Sequence, residues 1–133
     1  MTPNRALVDE IVRRMNARDF QVEDLCDPEI EWRWPEATPG ASLFQGHAEV
    51  KRGLEQWAES WEALQMDPYD VIEDGDYVLV LMTYRMRGAG SGLYLEAPVA
   101  HLHQIENGLL RRWWMFGDAD KARRRFVAGD RPA

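Results

Sequence analysis

YVLVLMTYRMRGAGSGLYLEAPVAHLHQIENGLLRRWWMF, residues 77–116, is the stretch that decides the fold. It opens with Val78, Val80, Met82, Tyr84 and Met86 alternating with Tyr77, Leu79, Leu81, Thr83 and Arg85. Successive side chains leave a strand on opposite faces, so this period of two with bulky residues reads as β. Both sides are apolar at first, which predicts cover on both faces. Gly88-Ala89-Gly90-Ser91-Gly92 reads as a hairpin connection, and residues 93–105 as a second long strand. Pro98 inside it predicts an edge position or a bulge, because proline brings no N–H to a ladder. Glu106-Asn107-Gly108 supplies the next turn, and residues 109–116 the last strand.

Upstream, Asp74-Gly75-Asp76 is a turn signal after a strand starting near residue 68. Before it, Val50, Leu54, Trp57, Trp61 and Leu64 follow 4-3-4-3 spacing, which predicts a helix over residues 47–64. Residues 36–46, with Pro39-Gly40, read as a loop. Ile30, Trp32 and Trp34 alternate with Glu29, Glu31 and Arg33, a strand stopped by Pro35. Val22, Leu25 and Cys26 read as one short helix stopped by Asp27-Pro28. At the start, Thr2 caps and Pro3 opens a helix whose buried stripe is Leu7, Ile11 and Met15. At the other end, Asp118 caps a helix over residues 119–126, and residues 128–133 form a polar tail. Helices followed by a strand meander define an α+β domain, a single one over residues 1–127.

Composition bounds the function. The 133 residues carry 16 Lys+Arg against 23 Asp+Glu, a net charge of −7, which argues against a nucleic-acid binder. One cysteine, Cys26, rules out an internal disulfide and a cysteine-based zinc site. No apolar run is long enough for a membrane span and no signal core opens the chain, so the expectation is a soluble cytoplasmic protein. Six tryptophans against four Phe and four Tyr stand out. They suit an aromatic cavity, a partner surface or plain core filling.

Few residues carry candidate chemistry. Gly88 to Gly92 joins two strands and opens no helix, so it is no phosphate loop. His101 and His103, two apart on a strand, share a face and would need a third ligand to hold a metal; none is expected. A neutral His101 in a cavity would serve as a base or donor. Asp118 is a helix cap or a carboxylate at a cavity mouth. Glu31 and Glu96 face solvent, or turn inward as bases with raised pKa. His47 caps or packs at a helix start. Arg111 and Arg112, with the basic last helix, partner acids or face water.

Five stretches in order carry a resemblance: Met15-Asn16-Ala17-Arg18-Asp19-Phe20, Asp27-Pro28-Glu29-Ile30-Glu31-Trp32, Phe44-Gln45-Gly46-His47, Ala97-Pro98-Val99-Ala100-His101, and Glu106-Asn107-Gly108 leading to Arg112-Trp113. The chain resembles the SnoaL-like polyketide cyclase branch of the nuclear-transport-factor-2-like superfamily. The resemblance implies a cone-shaped, curved antiparallel sheet with helices over its concave face, a cavity open at one end, and homodimers through the outer sheet face. The steroid isomerase residues of that superfamily are missing: Ile11 stands where a tyrosine belongs, Arg33 or Trp34 where the first acid belongs, and Ala100 where the second belongs. The cyclase pattern implies His101 and Asp118 as the catalytic pair. An epoxide hydrolase pattern would need Glu31, Arg33 and Glu96 turned inward.

The expectation is a pocket for a small hydrophobic molecule, lined by Ile11, Trp32, Trp34, Trp57, Trp61, Tyr84 and Trp113. The two readings of it are an acid/base enzyme without a cofactor and a non-catalytic binding or dimerisation module.

Overall fold

The strands read from residues 77–116 lie in one six-stranded sheet of order β2-β1-β6-β5-β4-β3. The computed structural model describes residues 1–34 and 43–132. The stop at Pro35 and residues 36–42 of the loop reading lie outside them; the rest of that loop reading fails, because Leu43–Gln45 pairs as a strand and Gly46 opens a helix. The strands are β1 (Cys26–Arg33), β2 (Leu43–Gln45), β3 (Trp61–Asp74), β4 (Tyr77–Gly88), β5 (Tyr94–Glu106) and β6 (Leu109–Phe116). The helices are α1 (Pro3–Asn16), α2 (Gly46–Glu59) and α3 (Ala119–Val127). The architecture is α+β, three helices on a mixed sheet.

The sheet is not wholly antiparallel. β1 pairs parallel with β6, because the long excursion through α2 and the four strands β2 to β5 brings the last strand back beside the first. β3, β4, β5 and β6 form the expected antiparallel meander. Asn107 and Gly108 both take positive φ, 53° and 78°, the backbone that a tight two-residue hairpin demands. Pro98 sits opposite Thr83 of β4, in the part of β5 that β6 does not reach. Its missing N–H therefore costs no ladder bond on that side.

Two boundaries move. The helix over residues 47–64 ends at Glu59, and Trp61 already pairs with Gly88 at the start of β3. Nothing at Ser60 marks a stop in sequence; the long ladder to β4 overrides the helical spacing. The short second helix is a single 3₁₀ turn, Glu23–Leu25, and Cys26 starts a strand that contains Pro28. Pro28 is tolerated because the β1–β6 register is broken between Cys26 and Glu31.

The inner face is covered by α1 and α2. Thr2 caps α1 by accepting from the Arg5 N–H at 3.1 Å, and Val8, Ile11, Val12 and Met15 are its buried stripe. With Val50 and Leu54 of α2 they close over Val78, Val80, Met82, Ile105 and Met115. The expectation that all helices share this face fails for α3. Its Ala119 and Phe126 pack with Leu79, Leu81, Ala100, Leu102 and Trp114 on the opposite, outer face. That explains why β4 is apolar on both sides. Residues 130–132 fold back rather than trail: Arg131 stacks on Phe126 and Tyr77 and bonds Asp74 at 2.5 Å.

One irregularity sorts the chemistry of the two faces. Between Gln104 and Ile105 of β5, β6 carries an extra residue, Arg111. This bulge lets Leu110 and Trp113 both join the inner core, although they are three apart. It also sends Arg111 and Arg112 to the same carboxylate, Glu31, at 3.2 and 3.0 Å.

Candidate functional site

The register of the sheet lays an aromatic row across the inner face. Trp32 on β1 sits beside Trp113 on β6, Trp113 beside His103 on β5, and His103 opposite Val78 on β4. The rings stack: Trp32 on Trp113 with centroids 5.7 Å apart, and Trp113 on His103 at 6.1 Å. His101 stands one inner position further along β5, edge-on to Trp113 at 5.8 Å. Trp34, edge-on to Trp32, and Trp57 of α2 extend the cluster to Tyr84. Phe44 of β2 stacks on Trp32 at 5.0 Å.

Tyr84 and His101 form the polar heart of this cluster. The Tyr84 hydroxyl shares a hydrogen bond with His101 Nε2, and both residues are buried. Burial lowers His101 well below the usual histidine value, and neighbouring His103 pushes the same way. Burial raises the Tyr84 phenol far above its usual value. At neutral pH the pair is therefore an uncharged imidazole beside a protonated phenol. His103 is also neutral: burial lowers it to about 4, against the pull of its bond to Val78. Its Nδ1 lies 3.1 Å from the Val78 carbonyl, which only accepts, so Nδ1 carries the proton and Nε2 offers a lone pair.

Among the described residues, four buried ring nitrogens here find no hydrogen-bond partner: Nε1 of Trp32, Trp61 and Trp113, and Nε2 of His103. Among the described residues no group of three His, Cys, Asp or Glu is placed to hold a metal.

The structure brings Ile11, Trp32, Trp34, Trp57, Trp61, Tyr84, His101 and Trp113 to this side of the sheet. It does not bring Asp118 to His101. Asp118 is exposed, accepts from the Lys121 N–H at 3.0 Å as the cap of α3, and lies on the outer face beside Leu102 and Phe126. The sheet itself separates the two. The acid–arginine network does not face inward either. Glu31 and Arg33 point to the outer side with Arg112, and Glu96 is exposed, paired with Arg85 and Tyr94. Burial pushes the Glu31 carboxyl up, but hydrogen bonds from Arg112, Arg33 and Arg111 outweigh it and hold it near about 2. His47 bonds the Cys26 carbonyl at 2.9 Å, a packing role. Burial pushes the Cys26 thiol up to about 12, so it is no nucleophile.

Sequence reasoning missed Phe44 and Gly53. A Cβ on Gly53 of α2 would lie 2.8 Å from the Phe44 ring and 3.0 Å from Trp32. Glycine lets the helix settle onto the aromatic row. The signal was a glycine inside an otherwise good helix. Between α2 and the segment after α1, an open cleft of about 250 Å³ is lined by Arg18, Asp19, Phe20, Gln21, Lys51 and Glu55. Its Phe20 packs against the inner core.

Helices over a mixed sheet, with a buried aromatic and histidine-bearing inner face, define an α+β protein of the NTF2-like and cystatin-like type. The chain belongs to the SnoaL-like domain family, whose model matches residues 8–113. It is similar to TerC, co-crystallised with polyporic acid, at 22% identity over 92% of this chain and 97% of that one, with a TM-score of 0.79. It is similar to an NTF2-like protein of unknown function from Burkholderia pseudomallei at 23% identity, covering 93% and 97%, with a TM-score of 0.81. A protein described as a SnoaL-like polyketide cyclase from Jannaschia sp. CCS1 matches at 15% identity, covering 97% and 94%, with a TM-score of 0.78. No curated protein matches the chain.

Proposed function

We propose that this chain is an acid/base enzyme of the cyclase or isomerase type that needs no cofactor, with Tyr84 and His101 as its proton-handling pair. Its substrate is a small, largely apolar carbonyl compound held against the aromatic row. One observation carries the reading: an imidazole and a phenol, both buried and hydrogen-bonded to each other, within an apolar cluster. A neutral imidazole accepts a proton from carbon next to a carbonyl. The carbonyl oxygen takes up the electron pair as an enolate, and the protonated phenol donates a hydrogen bond to it. The imidazolium then returns its proton elsewhere on the carbon skeleton, which is isomerisation. If the enolate carbon instead attacks a second carbonyl, a ring closes and that alkoxide takes the proton. The low dielectric strengthens each interaction. Family membership and the co-crystallised small molecule of TerC support the reading.

The same proposal puts the protein in the cytoplasm, where the buried free thiol of Cys26 suits a reducing compartment. It also includes a homodimer through the outer sheet face. There α3 already covers Leu79 and Leu102 and leaves Arg33 and Arg112 partly open.

The second reading, a binding module without catalysis, is favoured by the stacking of Trp32, Trp113 and His103 on one another. One experiment separates the two. Deuterium exchange at the α-carbons of 2-tetralone in D2O, followed by NMR, is expected to accelerate with the protein. Tyr84→Phe and His101→Gln are each expected to cut the protein-dependent rate by about a hundredfold. Binding of 2-tetralone without faster exchange would leave only the binding module.

A further inference from the structure

The outer face of the sheet carries a charge imbalance that the Tyr84–His101 chemistry does not use. Three guanidinium groups meet one carboxylate. Arg33 Nη2 donates to Glu31 Oε1 at 2.5 Å, and Arg112 Nε and Arg111 Nη1 donate to Glu31 Oε2 at 3.0 and 3.2 Å. Three positive charges against one negative leave an excess of two. Among the described residues no other carboxylate pairs with any of the three. Their remaining acceptors are neutral: the Glu29 carbonyl for Arg111 and the Gln104 side-chain oxygen for Arg112. Those few acceptor atoms face three forks that bring about five N–H donors each. The buried Nε of Arg33 has no partner among the described residues. The surroundings do not average the excess away. Residues 109–133 supply Arg111, Arg112 and the helix α3 on the same face, and they hold seven Lys+Arg against three Asp in a chain of net charge −7.

The cluster is neither sealed nor fully hydrated. The Glu31 side chain is 9% exposed, whereas those of Arg33 and Arg112 are 32% and 35% exposed. The carboxylate is thus the covered member and the arginines the open ones. In such a half-buried setting like charges repel, and an added anion is attracted, more strongly than in bulk water. One arginine fork is enough to hold a carboxylate by two bonds. The second and third bring charge that Glu31 cannot neutralise. The bulge at Arg111 makes this possible, because regular alternation would send two consecutive arginines to opposite faces. We propose that Arg33, Arg111 and Arg112 form a site for a small dianionic oxyanion, a dicarboxylate or a phosphate group, which settles on the guanidinium forks from solvent. Two negative charges match the excess, and paired oxygens match planar forks. Glu31 holds the forks together and keeps the excess at two.

The test follows the arginine Nε–H resonances by NMR while malonate, inorganic phosphate, acetate or chloride is added at fixed ionic strength. Malonate and phosphate are expected to shift the Arg33 and Arg112 signals to saturation, with acetate binding about tenfold more weakly and chloride giving no saturation. Arg33→Gln and Arg112→Gln each remove one fork, and each is expected to weaken malonate binding about tenfold, read on the signals that remain. Either variant serves if the other fails to fold. A parallel drift with all four salts, without saturation, reduces the effect to ionic screening and overturns the site. Saturation that both variants leave unchanged puts the anion elsewhere and overturns the assignment to this cluster. No shift with any anion also overturns it. If Arg112→Gln then breaks up a homodimer in sedimentation, the excess charge serves a carboxylate of a second copy instead.

Discussion

Acidification from pH 7 to pH 5 should weaken this fold, and the buried histidines set how much. His103 titrates at 6.5 when exposed and near about 4 in the fold. Its folded value is depressed, so as pH falls below 6.5 the unfolded chain takes up a proton that the native chain refuses. Stability from this group is therefore complete above pH 6.5 and is lost as pH falls toward 4. Linkage gives a loss of about 0.8 kcal/mol at pH 6, about 2 kcal/mol at pH 5 and about 3 kcal/mol at pH 4. His101, lowered by its own burial, adds a loss of the same sign. The depressed carboxylates Glu10 and Glu31 contribute only below 4.5, so the window from pH 7 to pH 5 belongs to the histidines. Urea unfolding followed by tryptophan fluorescence is the assay. With a slope of about 1.5 kcal/mol/M, the His103 share alone moves the midpoint down by about 1.3 M at pH 5. His103→Phe should remove that share and flatten the profile. A wild-type midpoint that does not move between pH 7 and pH 5 would refute the burial argument. So would a variant with an unchanged pH slope.

Two further outcomes follow from close contacts. Gly53→Ala gains helix propensity of about 1 kcal/mol but drives a methyl into the Phe44 and Trp32 rings, for a net loss of about 1–2 kcal/mol. Thermal melting with near-ultraviolet dichroism reads it, and an unchanged melting temperature would show that the Phe44 ring simply yields. Glu31→Gln leaves three guanidinium groups without their carboxylate. The wild-type chain should lose at most about 3 kcal/mol as pH falls from 4.5 toward 2, less the part that water around the arginine heads screens. The variant should lack this acid step in the same urea titration, and an identical acid limb would place the stabilisation elsewhere.

The fold was legible wherever local pattern and long-range pairing agree. The alternation from Tyr77, the Asn107-Gly108 turn and the Thr2-Pro3 helix start all speak through neighbouring residues. The boundary at Ser60 was not legible, because Trp57, Trp61 and Leu64 fit a helical stripe and only the partner strand β4 reveals that Trp61 is extended. The parallel pairing of β1 with β6 and the seat of α3 on the outer face are likewise facts about distant segments. At the site, period two puts Trp32 with Trp34 on one face of β1, and Tyr84 with Val78, Val80 and Met82 on one face of β4, but which face turns toward the helices is not written in the strands. Nor is the partner of His101. Asp118 is close to the last strand in sequence, but a cap belongs to its helix, and that helix is on the other side. Tyr84 reaches His101 from the neighbouring strand, in a contact that skips from one residue pair to another.

The extra residue at position 111 has a consequence for how such a protein changes over time. It works as a phase shift: everything after it on the last strand is displaced by one step relative to what comes before. Removing that single codon would leave Leu110 opposite Ile105 and Trp113 opposite His103 in an unbroken alternation, so the ladder closes over the gap and the inner face keeps its indole. The last strand can thus lose one residue at this step without harm to its faces, whereas the same loss at a regular step would turn everything beyond it to the opposite side.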